Sequence, residues 1–149
     1  MALRSWLRPG PVRRRDTAAA VTWALYGDQA RSIAHLGATV PAAGVLAGRV
    51  LAAEAVVTIV LVLVVVAVAT DTRVPRGIAA MAIGAALAVA LVISGPVSGA
   101  GINPARAIGP VILAGQFSDW WAYLTALVAG GVAAVALYDR FLRAGSTPA

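Results

Sequence analysis

The chain has 149 residues, 60% hydrophobic and 12% charged, with a mean hydropathy of +0.86. Soluble domains run about 45–50% apolar and roughly 25% charged, so this composition belongs to a membrane protein. With no cysteine, one histidine and six acids, disulfides, thiolate nucleophiles and cysteine metal sites are excluded, and too little remains for a metal cage or an acid–base pair; no catalytic residue, metal or cofactor is expected. The net charge of +6 comes from twelve arginines and no lysine, and in a membrane protein their positions matter more than their number.

Residues 1–16, MALRSWLRPGPVRRRD, form a basic leader. With the apolar stretch Thr17–Gly27 they loosely imitate a signal peptide, but GDQA stands where a small-x-small cleavage site is wanted. The leader reads as a cytoplasmic flank attracted to anionic lipid rather than as a nucleic-acid arm, so no nucleic-acid partner is expected. Asp28–Gly48 is a loop carrying the lone His35. Leu51–Thr70, Gly77–Gly95 and Trp120–Tyr138 are each long enough to cross a hydrocarbon core about 30 Å thick, which takes roughly 20 residues of helix. All three are apolar around their circumference. Thr17–Gly27 is half a span, and Pro104–Gly115 predicts a helix of about 18 Å, reaching roughly halfway through the bilayer. Residues 17–143 are read as one membrane domain and 144–149 as a flexible tail. Gly84 with Ala88, Ala126 with Gly130, and Gly109 are expected at close helix contacts. Ser98, Thr58 and Thr125 read as helix or loop hydrogen-bonders.

The arginines set the orientation. Arg4, Arg8, Arg13, Arg14, Arg15, Arg73, Arg76, Arg140 and Arg143 all fall on one side if Leu51–Thr70 runs from outside to inside. That side is the cytoplasm by the positive-inside rule, and it holds the C-terminus; Arg31 and Arg49 are external and Arg106 lies within the membrane. Trp120, Trp121 and Tyr123 open the last span where an interfacial aromatic anchor belongs. The expected location is multi-pass in the plasma (inner) membrane.

Between the second span and the half-length helix runs SGPVSGAGINPARAIGP, residues 94–110. Its glycines and Pro96 stop the second span near Gly95. Irregular backbone at membrane depth is tolerated only where it is buried in protein or lines a wet cavity. Asn103 has the chemistry of an N-cap, and Pro104 fits the first helical position because its missing N–H is unneeded there. A helix N-terminus carries roughly +0.5 elementary charge, and Arg106 adds a full charge beside it. Such a site repels cations, while the Asn103 amide and the loop carbonyls can hydrogen-bond neutral molecules, as in a pore for small uncharged solutes.

At these residues the sequence resembles the aquaporin family, also called the major intrinsic proteins: SGAGINPARAIGP is similar to that family's second Asn-Pro-Ala loop. The resemblance runs from about Thr17 to Arg143, covering an end of a third helix, then the fourth, fifth, re-entrant and sixth. It implies an all-α membrane protein, half of a right-handed helical bundle with three full transmembrane helices and one re-entrant half helix, each subunit having its own pore and usually assembling as a tetramer. The pore residues it implies are Asn103, Pro104, Ala105 and Arg106, with Asn103 donating to the passing solute and Arg106 supplying the filter guanidinium. Glu54 matches the glutamate that accepts hydrogen bonds from the loop backbone, which Gly99 and Gly101 help to shape; the plainer reading is a first-turn glutamate near the interface. Leu91 stands where strict water channels carry histidine, and with Ala100 it makes the filter more apolar. Such a lining tolerates glycerol-like solutes as well as water. Against glycerol, Ala107 replaces the aspartate typical of glycerol facilitators, and Tyr123–Leu124 mixes the two patterns. The approach to the motif looks like plant nodulin-type and some bacterial members.

Apart from that end of the third, the first three helices and the first Asn-Pro-Ala motif have no counterpart here, and the loop and half helix at 96–115 keep a polar side that is costly in lipid. Three readings follow: a channel half for water or glycerol-like solutes needing a complementing N-terminal half; an inverted homodimer, opposed by the arginine bias; or a non-conducting membrane fragment or modulatory subunit. Partners are thus the lipid bilayer, small neutral solutes and a complementing half or homo-oligomer.

Overall fold

The computed structural model describes residues 20–29, 37–115 and 117–142, apart from the side chains of 113 and 114. The basic leader, Arg31, His35, Arg143 and the tail at 144–149 lie outside the described residues. Helical backbone occupies 20–29 (α1), Ala47–Thr70 (α2), Arg76–Ser98 (α3), Pro104–Ala114 (α4) and Trp120–Leu137 (α5), and a π-helical turn at Tyr138–Leu142 prolongs α5. No strand occurs among the described residues.

With 24 and 23 residues, α2 and α3 are each roughly 35 Å long, more than the hydrocarbon thickness of about 30 Å. With its π turn, α5 makes a third apolar run of 23 residues. The 11 residues of α4 give about 16 Å, half a crossing. The described residues therefore form an all-α, multi-pass membrane protein with three spans, and α4 is a half-length helix.

In the bundle α2 is central, packed against α5 on one side and α3 on the other, while α4 lies against α5. Each span buries one narrow stripe. On α2 it is Val50, Glu54, Val57 and Thr58; on α3, Ala90, Ser94 and Ser98; on α5, Ala122, Tyr123, Ala126, Leu127, Gly130 and Ala134. Spacings of three, four and eight put each set on one helix face. Bulky residues such as Ile78, Met81, Val92 and Val132 stay exposed, as suits side chains whose solvent is lipid. Small residues let the backbones approach. A Cβ on Gly130 would sit 2.9 Å from the Ala55 carbonyl oxygen and 3.0 Å from Thr58 Cβ.

Several boundaries and contacts differ from the sequence-based expectation. α2 begins one turn earlier, at Ala47, so Glu54 is not in its first turn. α3 does not stop at Gly95 but continues through Pro96 to Ser98. Proline removes one backbone donor, but the turn after it stays paired: Gly99 N–H donates to Gly95 O at 2.9 Å and Ala42 N–H to Val97 O at 3.0 Å. Ser98 Oγ lies 3.0 Å from Ser94 O and 2.5 Å from Glu54 Oε1. Gly84 is exposed with nothing near its would-be Cβ, and Ala88 is exposed too, so that pair is no helix contact among the described residues. Thr58 Oγ1 is buried without a hydrogen-bond partner. Trp120 and Trp121 are half exposed, but Tyr123 is only 2% exposed; it faces the bundle, not the membrane interface.

Candidate functional site

The polar centre is built around Glu54, fully buried in the third turn of α2. Its Oε1 accepts the Gly101 N–H and its Oε2 the Ile102 N–H, both at 2.8 Å. The Ser98 hydroxyl also faces Oε1. A buried carboxylate must be hydrogen-bonded, and unpaired backbone donors at membrane depth are equally costly. Each therefore satisfies the other.

The loop takes its shape from residues in the left-handed region: Gly99 at φ 74, Ala100 at φ 58 and Ile102 at φ 54. Glycine suits the first, since its would-be Cβ also meets the backbone of Thr39 and Val40 at 3.4 Å. Gly101 is confined differently: a Cβ there would lie 3.0 Å from the Tyr123 ring and 3.1 Å from Glu54 Oε2. Ile102 is a β-branched residue at positive φ, a conformation that costs free energy and persists only where surroundings over-determine it. Here the constraints are its N–H on Glu54, its burial beside Val57, Ala90 and Ala100, and the Asn103 N–H donating to Gly101 O at 2.6 Å.

Asn103 is extended (φ −144) and caps α4: its Oδ1 accepts from Ala105 N–H at 2.9 Å and Arg106 N–H at 3.4 Å, with Pro104 at the helix start. Because the side-chain oxygen is spent on the helix, the amide NH₂ is the end left to donate outward. Asn103 and Pro104 are exposed, and Ala105 and Arg106 are half-buried. Arg106 Nη1 donates to Gly37 O at 3.0 Å, tying the guanidinium to the loop preceding α2. The positive end of α4 and the guanidinium thus sit at one place.

The structure brings Glu54, Gly99, Gly101, Asn103, Pro104, Ala105 and Arg106 into one continuous loop-and-cap assembly. The Ala100 methyl is not part of the surface on which Leu91 is exposed. Leu91 is 42% exposed on α3, whereas Ala100 is 3% exposed, its methyl packed into the core. Across a trans peptide the C=O and N–H point opposite ways. With Gly101 N–H aimed at Glu54, the Ala100 carbonyl is directed away from it.

An apolar cavity of about 290 Å³ lies behind α4, lined by Ala107, Ile108, Val111, Trp120, Tyr123 and Leu124 among others. Neither Asn103 nor Arg106 borders it. No cluster of three His, Cys, Asp or Glu side chains occurs among the described residues.

Ser98 acts as the expected helix and loop hydrogen-bonder, through Ser94 O and Glu54 Oε1; the part of Tyr123 in the site is what sequence reasoning missed. Tyr123 Oη donates to Ser98 O at 2.6 Å. The available signal was the Ala90, Ser94, Ser98 spacing, which marks one small polar face of α3.

The sequence matches the Major intrinsic protein family over residues 16–138. It is 38% identical over 105 residues to aquaporin NIP1-1 of Oryza sativa subsp. japonica, spanning 70% of this chain and 36% of that protein. It is 38% identical over 102 residues to the probable aquaporin NIP5-1 of Arabidopsis thaliana (68% and 33%). With nodulin-26 of Glycine max the identity is 42% over 71 residues (48% and 26%). The matched region thus spans roughly a third or less of the length of these relatives.

Proposed function

The chain belongs to the major intrinsic protein family, and from that premise we propose that it supplies one half of the wall of a membrane channel for water or small neutral solutes. The observation that carries the reading is the capped end of α4 beside Arg106, held by a loop whose backbone donors are taken by Glu54. A helix end worth roughly half a charge plus a guanidinium repels cations, protons included. The Asn103 NH₂ and the Ala100 carbonyl offer one donor and one acceptor to an uncharged molecule. Leu91 offers no hydrogen bond, which favours solutes with CH₂ groups alongside water; Ala100 contributes its carbonyl rather than its methyl. Pro104 and Ala105 set the tip's shape.

In this reading the nine arginines named above lie in the cytoplasm together with the C-terminus, in the plasma membrane, and α4 dips in from outside. The exposed tip at Asn103 and Pro104 requires a complementing wall, supplied by further polypeptide segments equivalent to the family's first half. That same exposure favours a second reading, a non-conducting fragment or modulatory subunit. An inverted pair of copies is disfavoured by the arginine bias.

The test is stopped-flow swelling of liposomes holding the chain, alone and with a complementing half. The channel reading predicts water or glycerol permeability above empty vesicles, with Arg106→Val loosening selectivity. Permeability equal to empty vesicles in both conditions would establish the non-conducting reading.

A further inference from the structure

We infer that Ser98 and Tyr123 form a positioning latch that fixes the shape of the 99–103 loop and, resting on the channel reading above, the bore of the passage beside it. The bonds link three spans and converge on the Glu54 carboxylate, which accepts from both sides. From α5, the Tyr123 hydroxyl donates to Ser98 O at 2.6 Å. From the end of α3, the Ser98 hydroxyl reaches Glu54 Oε1 at 2.5 Å. On α2, Glu54 receives the loop amides of Gly101 and Ile102 at 2.8 Å each.

Proton accounting makes the chain specific. Ser98 has one hydroxyl proton and two acceptors in reach, Glu54 Oε1 at 2.5 Å and Ser94 O at 3.0 Å; the shorter contact, to the carboxylate, takes it. Ser98 O belongs to the last turn of α3, where carbonyls lack intrahelical partners, and Tyr123 satisfies it without water. Ser98 and Tyr123, and the Glu54 they act on, are each at most 2% exposed. The would-be Cβ of Gly101 lies 3.0 Å from the Tyr123 ring and 3.1 Å from Glu54 Oε2, so a displaced ring or carboxylate moves the loop directly. Two non-glycine residues in the left-handed region, Ala100 and Ile102, give the loop a reason to relax when released. Relaxation would rotate the Ala100 carbonyl.

The test uses the full chain in phospholipid nanodiscs, read by amide hydrogen exchange, and the same variants in liposomes read by the glycerol-to-water permeability ratio, with the complementing half present. Tyr123→Phe removes one oxygen and keeps the ring; Ser98→Ala removes the hydroxyl; Ser98→Thr restores it. The latch predicts exchange across 99–103 roughly five- to thirtyfold faster in Tyr123→Phe and Ser98→Ala, unchanged exchange in α2 and α5, and return toward wild type in Ser98→Thr. The permeability ratio should shift more than about twofold in the first two variants and not in the third. Unchanged loop exchange in Tyr123→Phe, acceleration spread evenly over α2 and α5, or an unaltered ratio in a conducting protein would overturn the latch. Should the wild type fail to conduct, the channel reading falls and the exchange data alone decide whether the latch exists. Tyr123→Phe keeps the test open if Ser98→Ala does not assemble.

Discussion

Glu54 Oε2 accepts the Ile102 N–H at 2.8 Å across 48 positions of sequence, and that bond helps hold a β-branched residue at φ 54. Replacing Glu54 with glutamine keeps the volume but sets an NH₂ group against one of the two loop donors. One loop amide is then buried unpaired, a penalty of about 1–3 kcal/mol. Glu54→Gln should therefore lower the thermal unfolding temperature in detergent and accelerate exchange at 101 and 102. An unchanged unfolding temperature together with unchanged exchange would mean that the carboxylate does not hold the loop.

Two adjacent glycines on α5 give opposite expectations. Gly130 faces Ala55 O at 2.9 Å from its would-be Cβ, whereas Gly131 has nothing within 4 Å. Gly130→Ala overpacks the α2/α5 contact and should destabilise by about 1–3 kcal/mol. Gly131→Ala should be neutral or stabilising by up to about 1 kcal/mol through helix propensity. Chemical unfolding of the two variants side by side checks the α2/α5 register, and equal effects would show it to be misplaced.

Asn103 does two jobs that substitution can separate. Asn103→Ala removes the cap on Ala105 and Arg106 and should cost about 0.5–2 kcal/mol of helix stability. Asn103→Asp keeps a capping oxygen but loses the outward NH₂ and adds a charge. Exchange in α4 should thus rise in Asn103→Ala and stay near wild type in Asn103→Asp, while solute permeability of the complemented protein falls in both.

The turn between α2 and α3 carries the one pH response among the ion pairs described. Arg73 donates to both Asp71 oxygens, at 3.0 and 2.8 Å, and this hydrogen bonding by Arg73 lowers the Asp71 carboxyl from 3.8 to about 2. A folded-state value below the unfolded one gives stability present above pH 4 and lost as pH falls toward 2. The pair is exposed, so the effect is local and small. A spin label at Thr72 should keep constant mobility from pH 8 to 5 and loosen between about pH 4 and 2, with Asp71→Asn mobile throughout. Loosening centred near pH 6 would contradict the pairing.

Much of this arrangement was legible because lipid simplifies the grammar. Apolar run length gave the three spans, and Asn103-Pro104 gave the start of α4, since a cap and a proline at the first position are local chemistry. Glu54's partners were suggested only by family resemblance. The continuation of α3 through Pro96 was hidden because the groups that stabilise it, Ala42 and Glu54, are distant in sequence. Tyr123 beside two tryptophans reads as an interfacial ring, and only the neighbouring end of α3 turns it inward. Ala100 reads as a lining methyl, but its positive φ reverses which end of the peptide faces out. Gly84 and Ala88 have the spacing of a helix contact, yet spacing does not say which neighbour is present.

The depth of α4 in the bilayer is the most direct test of the whole account. The chain has no cysteine, so single cysteines placed at 105, 108, 112 and 115 can each carry a spin label for depth measurement by paramagnetic relaxation in vesicles. A re-entrant helix predicts a steady rise of about 1.5 Å per residue from near the midplane at 105 to the outer headgroups at 115. Labels all at one shallow depth, as for a helix lying flat on the membrane, would contradict it.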